Sequence, residues 1–197
     1  MDNLHLFELI NAAPKPEQWQ LGLAVGLAEW LIYGVAFGIA VAWVRGSTAA
    51  RRELIEVLFG ALISLGLAQL VAHQWPQARP FALHLGTQLL AHANDPGLPS
   101  DHVTVFWSLA CSALMTRRFA VWGFPLLAAG LAVGWSRVFL GVHFPYDIMA
   151  AMPVALAGAL AARAARAATM PLVARILYTY ERPIQAVRAK LSIPRET

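Results

Sequence analysis

Apolar residues fill long stretches of this chain, and the few charges fall between them. Leu21 to Val44 carries only Glu29, and no Asp, Glu, Lys or Arg occurs in Val57 to Ala78, Val103 to Thr116, Phe119 to Ser136 or Ile148 to Ala162. A helix needs about 20 mostly apolar residues to cross a hydrocarbon core about 30 Å thick. With polar ends added, the pattern predicts spans over 20–44, 53–74, 100–116, 119–136 and 145–166, the third and fourth of them short. The expected fold is all-α: one membrane-embedded helical bundle over 1–197, with about five transmembrane helices and short interfacial ones. Residues 3–12 suit a short helix on the outer surface, within an interfacial segment over 1–19. Residues 1–19 hold acids, Pro14 and Pro16 and no basic n-region, so a cleavable signal is not expected there. The stretch from Pro171 to Leu191, within a tail over 170–197, mixes apolar side chains with Arg and Lys. It suits an interfacial helix on the inner side, broken near Pro183. Abundant Ala and Gly in the first, fourth and fifth spans suit close helix contact in lipid.

Composition agrees. Of 197 residues, 58% are hydrophobic and 13% charged, against about 25% charged in an ordinary soluble domain. Mean hydropathy is +0.56. Disorder is excluded, since it requires low hydrophobicity and high charge density, and one Cys cannot pair within the chain. Cys111 reads as a small apolar core residue. The net charge of +4 would suit a nucleic-acid partner only if it were spread over a surface. Instead, twelve of the 15 basic residues fall on one side of the predicted bundle: Arg45, Arg51, Arg52, Arg117, Arg118, Arg163, Arg166, Arg175, Arg182, Arg188, Lys190 and Arg195. Cytoplasmic loops collect Lys and Arg, so the N-terminus is expected outside and the C-terminus in the cytoplasm, with no nucleic-acid partner. Trp19, Trp43, Trp75, Trp122 and Trp135 fall near span ends, where an aromatic belt lies.

Three polar segments interrupt the membrane pattern: Trp75 to Pro80, Leu98 to His102, and Ser136 to Asp147. Parity of the spans brings all three to the outer face, where Arg79 and Arg137 are the only arginines. An outer side so poor in cations that sets both beside histidines points to an anion. Two guanidiniums grip phosphate oxygens in bidentate fashion. Ser100 reads as the N-cap of a helix whose free N–H groups favour an anion. One histidine can attack phosphorus and another protonate a leaving oxygen. Asp147, four residues after His143 with Pro145 at the first turn of a helix, can orient the His143 ring. This chemistry needs no metal, and no ligand set of recognisable spacing is seen.

These segments resemble the signature of the type 2 phosphatidic acid phosphatase superfamily: K-x6-R-P, then P-S-x-H, then S-R-x5-H-x3-D. The match covers Ala72 to Asp147. The resemblance implies cleavage of phosphate esters or anhydrides through a phosphohistidine, without a cofactor. By position it makes His143 the nucleophile, Asp147 its orienting acid and His102 the general acid, with Arg79, Ser100 and Arg137 binding phosphate. One departure is Ala72, where the signature has its lysine. In this respect, and in the segments His73 to Phe81 and Trp135 to His143, the chain is similar to the small bacterial undecaprenyl-diphosphatases. That similarity implies a polyprenyl diphosphate lipid as partner, dephosphorylated on the outer face of the bacterial plasma membrane to recycle the cell-wall lipid carrier. Another lipid phosphate (lipid A, phosphatidylglycerophosphate) or a non-catalytic lipid-binding role are the alternatives, and the oligomeric state stays open.

Two further residues are candidate accessories. Glu29 stands inside the first span, where a carboxylate is costly. It can pair with an arginine of the site, hold a proton, or be a neutral acid hydrogen-bonded within the bundle. His73, His84 and His92 read as surface histidines, with His73 the first of the three to line a site. Asp101 is equally a first-turn helix acid and is left outside the core set.

Overall fold

The computed structural model describes residues 2–190, with side chains as far as Pro183. Its helices are α1 (Asn3–Ile10), α2 (Gln18–Arg45), α3 (Thr48–Gln74), α4 (Asp101–Leu114), α5 (Gly123–Phe139) and α6 (Pro145–Lys190), with no strand among the described residues. Short 3-10 turns cover Pro80–Leu83 and Ala120–Trp122. Helix starts follow local chemistry: Asp2 accepts the His5 N–H (2.8 Å) and Ser47 accepts the Ala50 N–H (3.3 Å).

Among the described residues, four helices are by themselves long and apolar enough to cross a membrane: Gln18–Arg45, Thr48–Gln74, Ala120–Phe139 and Pro145–Pro183. The stretch 100–116, expected as a span, forms the 14-residue α4, about 21 Å long. Ten of its residues between Val103 and Ala113 are buried, so its apolar run feeds the protein core and lipid thickness does not set its length. It still joins the two ends of the bundle. Gln69, near the end of α3, donates to Asp101 at the start of α4 (3.0 and 3.2 Å). Past the end of α4, the Arg118 N–H reaches Glu53 in the first turns of α3 (2.8 Å). Gln69 and Glu53 are sixteen residues apart, about 24 Å along α3. The chain therefore alternates ends as the pattern expected.

The seam between α3 and α6 is built from small residues. Ala151, Ala155, Ala159 and Ala162 of α6 are buried. The Ser64 hydroxyl bonds the Gly60 and Ala155 carbonyls (2.9 and 3.2 Å), and a Cβ at Gly158 would stand 2.7 Å from the Ser64 Cα. Such close backbone approach is how helices associate in lipid. It also fixes the depth of the first turn of α6, which carries Asp147.

Two expectations about the ends change. α1 does more than rest on a surface: Phe7 is fully buried, edge-on to Phe144 at 5.3 Å. At the other end, α6 continues through Pro171 and Pro183 to Lys190 with no break near Pro183. A proline removes one i to i−4 bond and can kink a helix without ending it. The second half of α6 is held from the side, since Glu181 accepts from Thr48 (2.6 Å) and Arg51 (2.9 Å) and Tyr180 packs near Trp43. Residues 191–197, including Arg195, lie outside the described residues, as do the side chains of Arg188 and Lys190. Around this end Arg118 pairs with Glu53, and Arg163 and Arg166 with Glu56, so this part of the predicted basic collar is also a set of ion pairs tying α3 to its neighbours.

Candidate active site

The site sits at the opposite end, where α3, α5 and the 75–100 loop deliver the three polar segments against the first turns of α4 and α6. That loop packs Leu85, Leu89 and Leu90 on buried clusters and is pinned by α1. The Asn11 side chain donates to the Thr87 and Phe139 carbonyls (3.0 and 3.1 Å) and accepts the Thr87 N–H (2.7 Å). The Leu89 N–H bonds Leu140 (3.0 Å). Gly141, at φ +78°, lets the chain turn from α5 toward α6, in a conformation other residues rarely adopt. A Cβ there would collide with the Thr87 carbonyl.

That turn places His143, only 1% exposed, against Asp147. The Asp147 Oδ2 accepts the Phe144 N–H (2.8 Å) and lies 3.3 Å from His143 Nδ1. On the far side of the ring, Arg79 Nη1 is 2.9 Å from His143 Nε2. A guanidinium can only donate, so Nε2 carries the lone pair and Nδ1 the proton, given to Asp147. This tautomer leaves Nε2 as the nucleophilic atom. Burial, then the positive charges of Arg79 and Arg137 and the rings of His92 and His102, push the His143 pKa well below its ordinary value. The ring is therefore neutral at physiological pH. The unfolded chain takes up this proton near pH 6.5 and the folded chain only below it, so the group's contribution to stability falls as pH drops under about 6.5. In ¹⁵N-histidine NMR of the detergent-solubilised protein at pH 6, His143 is expected to give a neutral, Nδ1-protonated signal; an imidazolium signal there would contradict this network.

The two arginines differ in their engagement. Arg79 is tied down: Nε bonds the Asp95 carbonyl and carboxylate (3.0 and 3.1 Å), and Nη1 bonds the Val142 carbonyl (3.0 Å). Arg137, 2% exposed, has Nε and Nη2 buried without a partner. The Ser100 Oγ, Thr104 Oγ1 and Asp147 Oδ1 are likewise buried and unpartnered. Ser100 occupies the N-cap position, but its hydroxyl makes no cap bond. Its N–H is held instead by the Asp147 carbonyl (3.1 Å), which turns the residue toward α6 and leaves Oγ free. A buried guanidinium and hydroxyls without partners fit an oxyanion that would supply the missing acceptors.

A cleft of about 310 Å³ opens beside this cluster, lined by His92, His102, Arg137 and Glu29 and, at its apolar side, by Trp30 and Tyr33. Glu29 reaches it from a π turn, Gly26–Trp30, inside α2, a distortion frequent at functional sites. Among the sequence candidates, His143, Asp147, Arg79, Ser100, Arg137 and His102 thus gather at one end, and Glu29 joins them through the cleft. His73 does not: it is exposed on the last turn of α3 and does not line the cleft. His92 takes the place expected of it, with its ring edge-on to His143 at 6.3 Å. Asp95, the partner of Arg79, and Thr104 were also missed. His92 and Asp95 sit in a loop with no periodicity, and the one signal that could have found them is an acid three residues after a histidine. Position 72 offers no cation, and among the described residues no group of three or more His, Cys, Asp or Glu side chains could hold a metal ion.

Comparison with known proteins shows the family and the fold. Residues 53–171 match the PAP2 superfamily. YbjG of Escherichia coli (strain K12), by name a candidate undecaprenyl-diphosphatase, is 37% identical over 82% of this chain and 81% of its own. The undecaprenyl-diphosphatase BcrC of Bacillus subtilis (strain 168) is 29% identical over 78% of this chain and 79% of its own. The crystal structure of Aquifex aeolicus LpxE shares the fold, with a TM-score of 0.63 at 18% identity, over 81% of this chain and 93% of that one.

Proposed function

The chain belongs to the PAP2 superfamily of phosphatases, and from that premise we propose that it hydrolyses undecaprenyl diphosphate to undecaprenyl phosphate and inorganic phosphate. The observation that carries the reading is the buried His143 with its Nε2 lone pair set by Asp147, beside a buried Arg137 with unpartnered donors. The names of YbjG and BcrC support the choice of lipid.

The lipid diphosphate enters the cleft from the interface, with its polyprenyl tail between helices or in lipid. Its terminal phosphate takes the free donors of Arg137 and Ser100. Arg79 turns from Nε2 to the phosphate oxygens, and Nε2 attacks the terminal phosphorus. His102, which burial and the nearby positive charges keep neutral before substrate binds, takes up a proton from solvent as the negative diphosphate arrives. The bond to the bridging oxygen breaks, and His102 gives that oxygen this proton as undecaprenyl phosphate leaves. Asp147 stabilises the charge on the phosphorylated ring. Water, deprotonated by His102, then attacks the phosphorus and frees His143. Positioning and prearranged charge supply most of the acceleration.

The test is release of inorganic phosphate by the purified protein in EDTA, from undecaprenyl diphosphate and a panel of lipid A, phosphatidylglycerophosphate and phosphatidic acid. Undecaprenyl diphosphate is expected to be the preferred substrate, with no second lipid needed as acceptor. Preference for another lipid, or loss of activity restored by a divalent ion, would replace this reading.

The arginine distribution supports a site facing the outside of the bacterial plasma membrane, with the C-terminus in the cytoplasm. In a Cys111-free background, a Cys introduced in the 75–100 loop is expected to react in intact cells with an impermeant maleimide. One at Arg175 is expected to react only after permeabilisation. The opposite pattern would invert the topology.

A further inference from the structure

The nucleophile does not border the cleft. His143 is buried and absent from its wall, whereas His92, His102 and Arg137 line it. The ring of His92 both lines the cleft and lies edge-on to His143, with 6.3 Å between the ring centroids. A phosphate that reaches from the cleft to His143 Nε2 therefore comes close to His92. The other wall of the nucleophile is Arg79, already committed to Asp95 and two loop carbonyls.

The ring is also prepared for that meeting. Its Nδ1 lies 3.0 Å from the Ala93 carbonyl, an acceptor only. Nδ1 therefore carries a proton, and Nε2 holds a lone pair that can take up another. The charged and titratable groups around it are Arg79, Arg137, Asp95, His102 and His143, with Glu29 across the cleft. Without ligand, burial and the two guanidiniums lower its pKa, against the pull of the Ala93 carbonyl and Asp95. An arriving phosphate reverses that balance by setting negative charge beside the ring.

We propose that His92 is a further phosphate-binding residue of the site, which takes one proton from solvent as the diphosphate enters and donates it, from Nε2, to an oxygen of the terminal phosphate. This deepens the function proposed above and rests on it for the identity of the lipid. It makes binding proton-coupled: the substrate is held more tightly as pH falls, through a group that belongs to none of the three motif segments.

The experiment compares the full-length wild type with His92→Ala and His92→Lys in detergent, with thermal melts to show that each is folded. For undecaprenyl diphosphate, His92→Ala is expected to raise KM by about tenfold or more while changing kcat far less, as expected for loss of one charge-assisted hydrogen bond. The ammonium of His92→Lys stays charged from pH 6 to 8.5, so the ratio of wild-type to His92→Lys KM is expected to climb with pH. Dividing by the lysine variant cancels ionisation of the substrate itself. An unchanged KM in His92→Ala, or a ratio flat over that range, overturns the proposal. Calorimetric binding of orthovanadate separates this from failure of the functional reading. If wild type cleaves no lipid diphosphate but binds vanadate about tenfold more tightly than His92→Ala does, the substrate assignment fails and the role of His92 stands. Equal vanadate affinity in the two proteins sinks the role of His92 whatever the substrate.

Discussion

Replacing His143 by Ala is expected to abolish both turnover and covalent labelling by radioactive phosphate, with kcat lowered by about four orders of magnitude or more. The size follows from what the residue does. In the proposed mechanism it supplies the electron pair that forms the new bond to phosphorus, and among the described residues no other histidine has both a carboxylate on Nδ1 and a guanidinium defining the lone pair on Nε2. His102→Ala should behave differently. His102 lines the cleft and in the proposed mechanism protonates the leaving oxygen, so its loss should be most severe when that oxygen is a poor leaving group. An activated ester such as p-nitrophenyl phosphate needs no such proton. His102→Ala should therefore recover much of its deficit on the activated substrate, and His143→Ala none. Acid-labile phosphate on His143→Ala, or the same response of both variants to the leaving group, would show the roles to be wrongly assigned.

The second large effect is expected at Arg137, and it runs in two directions. Arg137→Met should lower kcat/KM by about 1,000-fold, because it removes the guanidinium donors that the proposed mechanism gives to the phosphate at a site shielded from water. The same change should raise the melting temperature of the ligand-free protein. Arg137 is a buried cation with Nε and Nη2 unpaired, and such a charge costs the folded state several kcal/mol in desolvation, which the carboxylates of Glu29, Asp101 and Asp95 repay only in part. Methionine keeps much of the volume without the charge. Arg137→Lys should recover little activity, since one ammonium cannot reproduce the planar fork. Arg79 gives the contrast: its bonds to Asp95, Val142 and His143 tie the loop to the turn at Gly141, so Arg79→Met should lose stability together with activity. A melting temperature lowered by Arg137→Met would mean that its cost is met by contacts other than the substrate's.

The long apolar runs and the placement of arginines determine the helical membrane bundle locally, since each is a property of one segment and its solvent. The spacing of His143, Pro145 and Asp147 fixes a histidine and an acid on one helical turn, and alternation of the spans brings Arg79, Ser100, His102 and Arg137 to the same end. These features need only chain order and helix geometry. Tertiary structure decided what depends on residues far apart in sequence. It surrounded α4 with protein, so that ten residues of 100–116 are buried among neighbouring helices, and it carried α6 past Pro171 and Pro183 by docking Glu181 on Thr48 and Arg51. It turned the Ser100 hydroxyl away from its cap, bound Arg79 while leaving Arg137 free, and chose His92 over His73. The last choice depends on a loop folded by Asn11, 76 residues from Thr87 and 128 from Phe139. No periodicity encodes such contacts, because a loop's path is set by the partners of its backbone and not by a repeating face.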